Sequence, residues 1–283
     1  MGLLGLAAMA APSAAAARPA DLFFERTVMT AADQRCGLFP PAVSAALAAG
    51  AAQARGAALR AGSEAASLSR LEQKARQQAA RLDCRSAELA AEAARIEAAF
   101  AGYQRITRMT WPGEAAAWRA DRGVGRTARW RLAQDVAFGP DRMTFGLAGR
   151  DGASALIAAA DFADGARPYA ARLLLRDEGR TMGPYLPAGA RSVPLSRKLP
   201  PRAATRAFLA EARSRAEPEL SPGGTENGWA FRFPAEAAQA LADLDPREAV
   251  AVEFLFSGER VRTAYVEVGD FAAGRAFLQV AAR

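Results

Sequence analysis

An α+β fold is what this sequence predicts: a long helical hairpin closed by a disulfide, followed by an antiparallel sheet with packed helices. Three observations carry it. Residues 41–108 are rich in Ala, Arg, Glu and Gln, with no proline between Pro41 and Pro112. From Ala128 onward, apolar and polar residues alternate in short runs separated by turns, which is the period of strands. The only two cysteines, Cys36 and Cys84, lie at nearly equal distances from a helix-breaking Gly62-Ser63 pair, so helices folded back at that pair bring the two thiols to one end.

The elements follow in order. Residues 1–17 hold an apolar stretch, Leu3 to Ala11, then Pro12-Ser13 and four alanines. This is the pattern of a signal peptide cut after Ala16 or Ala17, although no Lys or Arg precedes the apolar core. The stretch is too short to span a bilayer, for which about 20 residues are needed, and no cysteine follows it to carry a lipid. An exported chain makes the even cysteine count a disulfide, Cys36–Cys84. Residues 18–122 are read as the helical hairpin and coiled-coil region. Within it, 18–26 form an extended lead-in, and a short helix starts with Thr30 as its N-cap and Asp33 in the capping-box position. Pro41 opens the next helix, and Ser63 caps a single long one after Gly62. In that helix Leu68, Ala75, Leu82, Leu89, Ile96 and Tyr103 recur every seven residues, with Ala79, Ser86, Ala93, Phe100 and Thr107 beside them. Such a seam packs on a neighbouring helix.

A short helical piece over Ala115 to Arg119 leads into residues 123–283, the antiparallel α+β domain. Strands are expected over 128–138, 143–147, 153–160 and 169–176, and a proline-rich irregular edge over 179–201. A helix is expected over 202–216, a strand over 229–233 and a helix over 235–244. Val250 to Phe256 and Val261 to Val268 form a hairpin about Gly258-Glu259, and Asp270 caps a terminal helix.

Composition excludes more function than it assigns. The chain has 283 residues, 51% of them hydrophobic, and a formal charge of +7 with no histidine. The excess is nearly all Arg, interleaved with acidic residues and not gathered in one run, so a nucleic-acid partner is not expected. Without histidine there is no Ser-His-Asp or Cys-His nucleophile system and no imidazole acid–base catalysis, and bridged cysteines offer no thiolate. No metal or cofactor is expected. Asp161 and Asp164 lack the ligand spacing of a calcium loop, and Gly123-Val124-Gly125 and Gly223-Gly224 are too short to cradle a phosphate. Lys74 and Lys198, the only lysines, stand in no Ser-X-X-Lys motif. Carboxylate chemistry remains. Asp161 or Asp164 with Glu267 or Asp270 would serve a glycoside hydrolase only if two of them converged about 5–10 Å apart; the alternative roles are a turn at Asp164-Gly165 and a cap at Asp270. Trp111, Trp118, Trp130 and Trp229 fill the core or form a sugar platform.

The segment from Glu25 to Cys36, with the Ala-rich helix through Leu59-Arg60-Ala61-Gly62, resembles exported proteins of unknown function from GC-rich Gram-negative bacteria. The resemblance covers mainly the N-terminal third. It implies residence in the periplasm and carries no functional residue. The function expected is therefore a soluble, periplasmic, non-enzymatic role in envelope interaction or structure, with an envelope protein or glycan as partner. Its contact surfaces are expected on the hairpin face and the 179–201 edge. The alternatives are a carboxylate-dependent hydrolase acting on an envelope glycan, or a module with a small-ligand pocket between sheet and helices.

Overall fold

Proline at the first helical positions has its φ already set for a helix and gives up an amide that would be unpaired there. Two of the N-terminal helices begin this way in the computed structural model, which describes residues 18–123, 125–150, 153–187, 193–225 and 227–279. The expected signal segment 1–17 lies outside them. Helix α1 spans Pro19–Cys36 and α2 spans Pro41–Arg60. The lead-in expected to be extended is thus the first turns of α1, where Asp21 also favours the positive end of the helix. Thr30 is interior to α1, and its hydroxyl donates to the Arg26 carbonyl. Asp33 does not close a capping box. Its carboxylate accepts from the Phe39 amide at 2.9 Å and the Ser44 hydroxyl at 2.6 Å, pinning the turn into α2. Gly37 ends α1 in the left-handed region, φ 62°, where a residue without Cβ is favoured.

The single long helix expected after Gly62 is two: α3, Ala65–Arg81, and α4, Ala87–Tyr103. Leu82 leaves the helix with extended backbone. Asp83 accepts from the Arg85 amide and Ser86 from the Leu89 amide, so Ser86 is the N-cap of α4. Short polar side chains offer the backbone these local partners in place of helix bonds. Cys84 sits in the break and is bonded to Cys36, with their Cα atoms 5.6 Å apart. Arg35 also donates to the Leu82 carbonyl beside the disulfide. The bridge therefore joins the end of α1 to the α3–α4 break. The hairpin is not a simple pair either, since α1 packs against both α2 and α3.

Eleven strands among the described residues form two antiparallel sheets. The larger contains β1 (Arg108–Trp111), β2 (Trp118–Asp121), β3 (Arg129–Phe138), β4 (Asp141–Gly149), β5 (Ala155–Asp161), β8 (Ala212–Arg215) and β9 (Trp229–Arg232), in the order β1-β2-β3-β4-β5-β9-β8. The smaller has β6 (Ala170–Arg176), β7 (Thr205–Leu209), β10 (Ala249–Leu255) and β11 (Val261–Glu267), in the order β11-β10-β6-β7. The predicted β3-β4-β5 meander and the β10–β11 hairpin are both present. Gly258 and Glu259 both have positive φ, 73° and 59°, the geometry of a two-residue hairpin turn. Part of the turn expected at 149–152 lies outside the described residues.

Two helical expectations fail here. Residues 108–121 form the β1–β2 hairpin, so the sheet already begins at Arg108. Residues 202–216 begin with a short 3₁₀ turn and then supply β7 to one sheet and β8 to the other. Ala and Arg are good helix formers, but each contributes only tenths of a kcal/mol, and pairing with β6 and β9 while burying Phe208 overrides that preference.

The inner faces of the two sheets meet in one continuous core of Trp118, Leu132, Phe145, Leu173, Phe231, Val252 and Phe254. Helices α5 (Ala235–Asp243) and α6 (Phe271–Gln279) close it. The described part of 179–201 is irregular, as expected, and Met182 and Tyr185 in it are exposed, but Leu195–Lys198 is packed. Its turn Leu195–Lys198 lies against β10 and β11, with Lys198 buried and paired to Glu114 at 2.7 Å. The helical layer docks on this sandwich through α2 against α6. Tyr103 adds an edge-to-face contact to Phe277 at 5.6 Å.

Candidate functional site

Four carboxylates were the candidates for chemistry, and three of them have defined partners. Asp164 is exposed and grips Arg262 through both oxygens, at 3.0 and 2.5 Å. The Arg262 guanidinium draws its carboxyl down to about 2. Its Oδ1 also accepts from the Ala166 amide and Gly165 has φ 70°, so Asp164-Gly165 is the turn that its residue types favour. Arg262 also bonds buried Asp141 at 3.0 Å. Asp161 ends β5 opposite Arg142 and is half-buried.

Glu267 and Asp270 lie where the helical layer meets the sandwich. Glu267 is buried, and its carboxylate accepts from the amides of Glu114, Ala115 and Ala116 at 2.9, 2.7 and 3.3 Å. Three backbone N–H donors so gathered satisfy the carboxylate oxygens inside the fold. The Trp118 indole donates to the Glu267 and Val268 carbonyls, and Gln134 clamps the Glu267 backbone on both sides. This knot holds the β1–β2 connection in place of the expected helix. Asp270 precedes α6, and its carboxylate pairs with Arg60 of α2 at 2.6 Å. Burial pushes the Asp270 carboxyl up, Arg60 opposes the rise, and Glu267 adds to it. The pair thus latches the two layers together, with both carboxylates turned to structural partners.

The tryptophans divide. Trp111 and Trp118 are core. Trp130 is half-buried and donates to the Leu220 carbonyl, and Trp229 lies between the guanidinium groups of Arg213 and Arg215 at 3.8 and 4.2 Å. Gly223 and Gly224 form a tight turn with positive φ, and Val124 lies outside the described residues. Lys74 stands over the Phe24 ring at 5.9 Å.

A depression of about 850 Å³ is lined by the Asp141–Arg262–Asp164 cluster and Pro194 to Ser196. Its charged groups satisfy one another. A cavity of about 430 Å³ at the junction of the two layers has a different character. Helix α2 gives it Val43, Ala46, Leu47, Gly50 and Gln53, a row at helical spacing. Helix α4 gives Glu92, Ile96, Phe100 and Tyr103, while β1 supplies Met109 and Trp111. From α1 come Met29, Arg26 and Glu25.

Part of the expected helical seam is therefore cavity wall. Ile96, Phe100 and Tyr103 face a row on α2 that includes the small residues Ala46 and Gly50, and these, opposite large side chains, leave the gap unfilled. Those small residues were the available sequence signal, but without β1 in place it did not define a pocket. The polar groups of this cavity are few. The Arg26 guanidinium donates to the Gly50 carbonyl at 2.6 Å, and burial lowers its proton affinity. Trp111 is 2% exposed, and its indole N–H has no hydrogen-bond acceptor. Buried donors are nearly always paired; this one has no surface open to water, so it lies behind the cavity wall.

No protein-family model, curated protein or solved structure matches this chain. Among the described residues, no cluster of acidic or sulfur side chains is arranged to hold a metal ion, and no helix is long and apolar enough to cross a membrane.

Proposed function

We propose that this chain is an exported, non-enzymatic binding protein of the periplasm, whose helical layer and sandwich together hold a small apolar ligand. The observation that carries this reading is the junction cavity. It falls within the roughly 300–1,000 Å³ range of ligand pockets, with mostly hydrophobic walls and a few polar groups. Export is supported by the apolar segment ahead of the small-residue run and by the Cys36–Cys84 disulfide. A role without catalysis is supported by Asp164, Glu267 and Asp270, which serve Arg262, three backbone amides and Arg60. In this reading the helical hairpin and its seam contribute half of a binding site, and any envelope partner is one that delivers or receives the ligand.

The test is binding of an environment-sensitive apolar fluorophore to the oxidised protein and to Ala46→Phe, which fills the cavity from α2. Wild-type binding, with at least a tenfold loss in a variant of unchanged melting temperature, is expected. Should Ala46→Phe fold poorly, Leu47→Phe from the same row is measured. Equal binding by a folded filled variant, or no binding by the wild type, sinks the proposal.

A further inference from the structure

Away from the junction cavity, we infer that strand β8, the open edge of the larger sheet, takes up an acidic, extended segment of another polypeptide as an added strand. The backbone comes first. Strand β8 ends its sheet and, among the described residues, pairs only with β9. In an antiparallel pair, residues whose N–H and C=O bond to the partner alternate with residues whose groups point away. The Ala216 amide bonds the Gly228 carbonyl, so Ser214 also turns to β9, while Arg213 and Arg215 direct their amides and carbonyls to the open side. All four residues of β8 are exposed. An edge of this kind is a template for a further strand.

The charge follows from the side chains. Arg213 and Arg215, two apart, share one face of the strand, and both guanidinium groups stack on the Trp229 ring, at 3.8 and 4.2 Å from its centre. Stacking holds two long side chains in place while their N–H groups still point outward from the guanidinium edges. Arg215 donates one of these to the Asn227 carbonyl at 3.2 Å. Among the described residues neither arginine pairs with a carboxylate, and the acidic residues flanking the strand are engaged elsewhere, Glu211 with Arg232 and Glu217 with Arg150. The same two arginines decide which strand fits. A second copy of β8 laid antiparallel along the first would set arginine opposite arginine, and like charges there repel. A strand with Asp or Glu at alternate positions instead presents a carboxylate to each guanidinium on the same face.

The experiment titrates the oxidised protein with three dye-labelled decapeptides: alternating Glu and Thr, alternating Lys and Thr, and the Glu peptide with its central threonines replaced by proline. The last keeps the charge and removes strand donors. The Glu peptide is expected to bind, the Lys peptide not to bind, and the proline peptide to bind at least tenfold more weakly. On binding, the Arg213 and Arg215 amides are expected to gain protection from hydrogen exchange. The double change Arg213→Glu with Arg215→Glu is expected to weaken the Glu peptide at least tenfold at unchanged melting temperature. Three outcomes overturn the inference: no binding of the Glu peptide, equal binding of the Glu and proline peptides, which would mark a site for any anionic polymer, or a folded double variant that binds as wild type does. If that variant does not fold, the ranking of the three peptides and the two amides on wild type decide.

Discussion

The helical layer and the sandwich bury apolar surface with different side chains, and they differ in what they need for stability. The sandwich has one continuous core filled by Trp118, Phe145, Phe231, Phe233, Phe254, Phe271 and Phe277, all essentially inaccessible to water. The helical layer has three small clusters instead. One is Val28, Met29, Ala32, Ala75, Ala79 and Leu89; another centres on Phe23, Leu59 and Leu68; a third is Val43 with Phe100. Apolar stabilisation scales with area removed from water, roughly 25 cal/mol per Å², and alanine has little to remove. Helices built on alanine approach closely but gain less from doing so. They are held by a covalent bridge at one end and by docking on α6 and Asp270.

That contrast can be broken experimentally. The largest effect is expected from Phe254→Ala, which empties the centre of the sandwich where Phe138, Phe162 and Phe231 contact it. A loss of about 4 kcal/mol is expected, read as a shifted urea midpoint for the whole fold. A loss below about 1 kcal/mol, relative to the scale for such cavities, would show that the core is not continuous. Next comes the double change Cys36→Ser with Cys84→Ser. The bridge closes 48 residues, so about 3–4 kcal/mol is at stake on the chain-entropy account. The loss is expected to stay local: amides of 19–103 exchange faster while those of β3, β4 and β10 stay protected. Uniform loss of protection across both layers contradicts the proposed division.

The smallest effect, Arg60→Leu, sharpens the comparison at the point where the layers join. It leaves Asp270 buried without its cation, which is expected to cost about 3 kcal/mol near neutral pH, the low end for a broken buried pair because Arg60 is partly exposed. The sign of its pH dependence follows from the direction of the Asp270 shift. Its carboxyl already lies above the ordinary 3.8 because of burial, and removing Arg60 raises it further. The folded variant then holds a proton that the unfolded chain releases, so its stability falls as pH rises through the window above 3.8. The deficit against wild type should shrink on acidification. A deficit that is flat from pH 4 to pH 7 would show that Arg60 acts through packing alone.

Much of the architecture was legible because its signals are local. Alternation marked β3, β4 and β10; turns marked off β5 and β11; Pro41 and Gly62 bounded α2; Gly258-Glu259 fixed a hairpin; and the spacing of Cys36 and Cys84 about one break gave the disulfide. What was misread lies where local preference is weak and a distant partner decides. The stretch Ala115 to Arg119 reads locally as a short helix, yet Glu267, far along the chain, takes the amides of Glu114, Ala115 and Ala116. Residues 205–215 favour helix but complete two sheet edges. The carboxylates could be nominated from sequence, but their pairing with Arg262, Arg60 and backbone amides was unreadable.

By itself the sequence determined the class of the fold, the order of most elements and the covalent clasp, since each depends on residues a few positions apart or on two unique side chains. Only the tertiary structure decided that α1 would lie between its neighbours, that the acidic groups would become latches, and that a cavity would open beneath Trp111. These outcomes depend on which surfaces remain unfilled once every element has packed. That quantity is set by all the side chains together and is encoded at no single position.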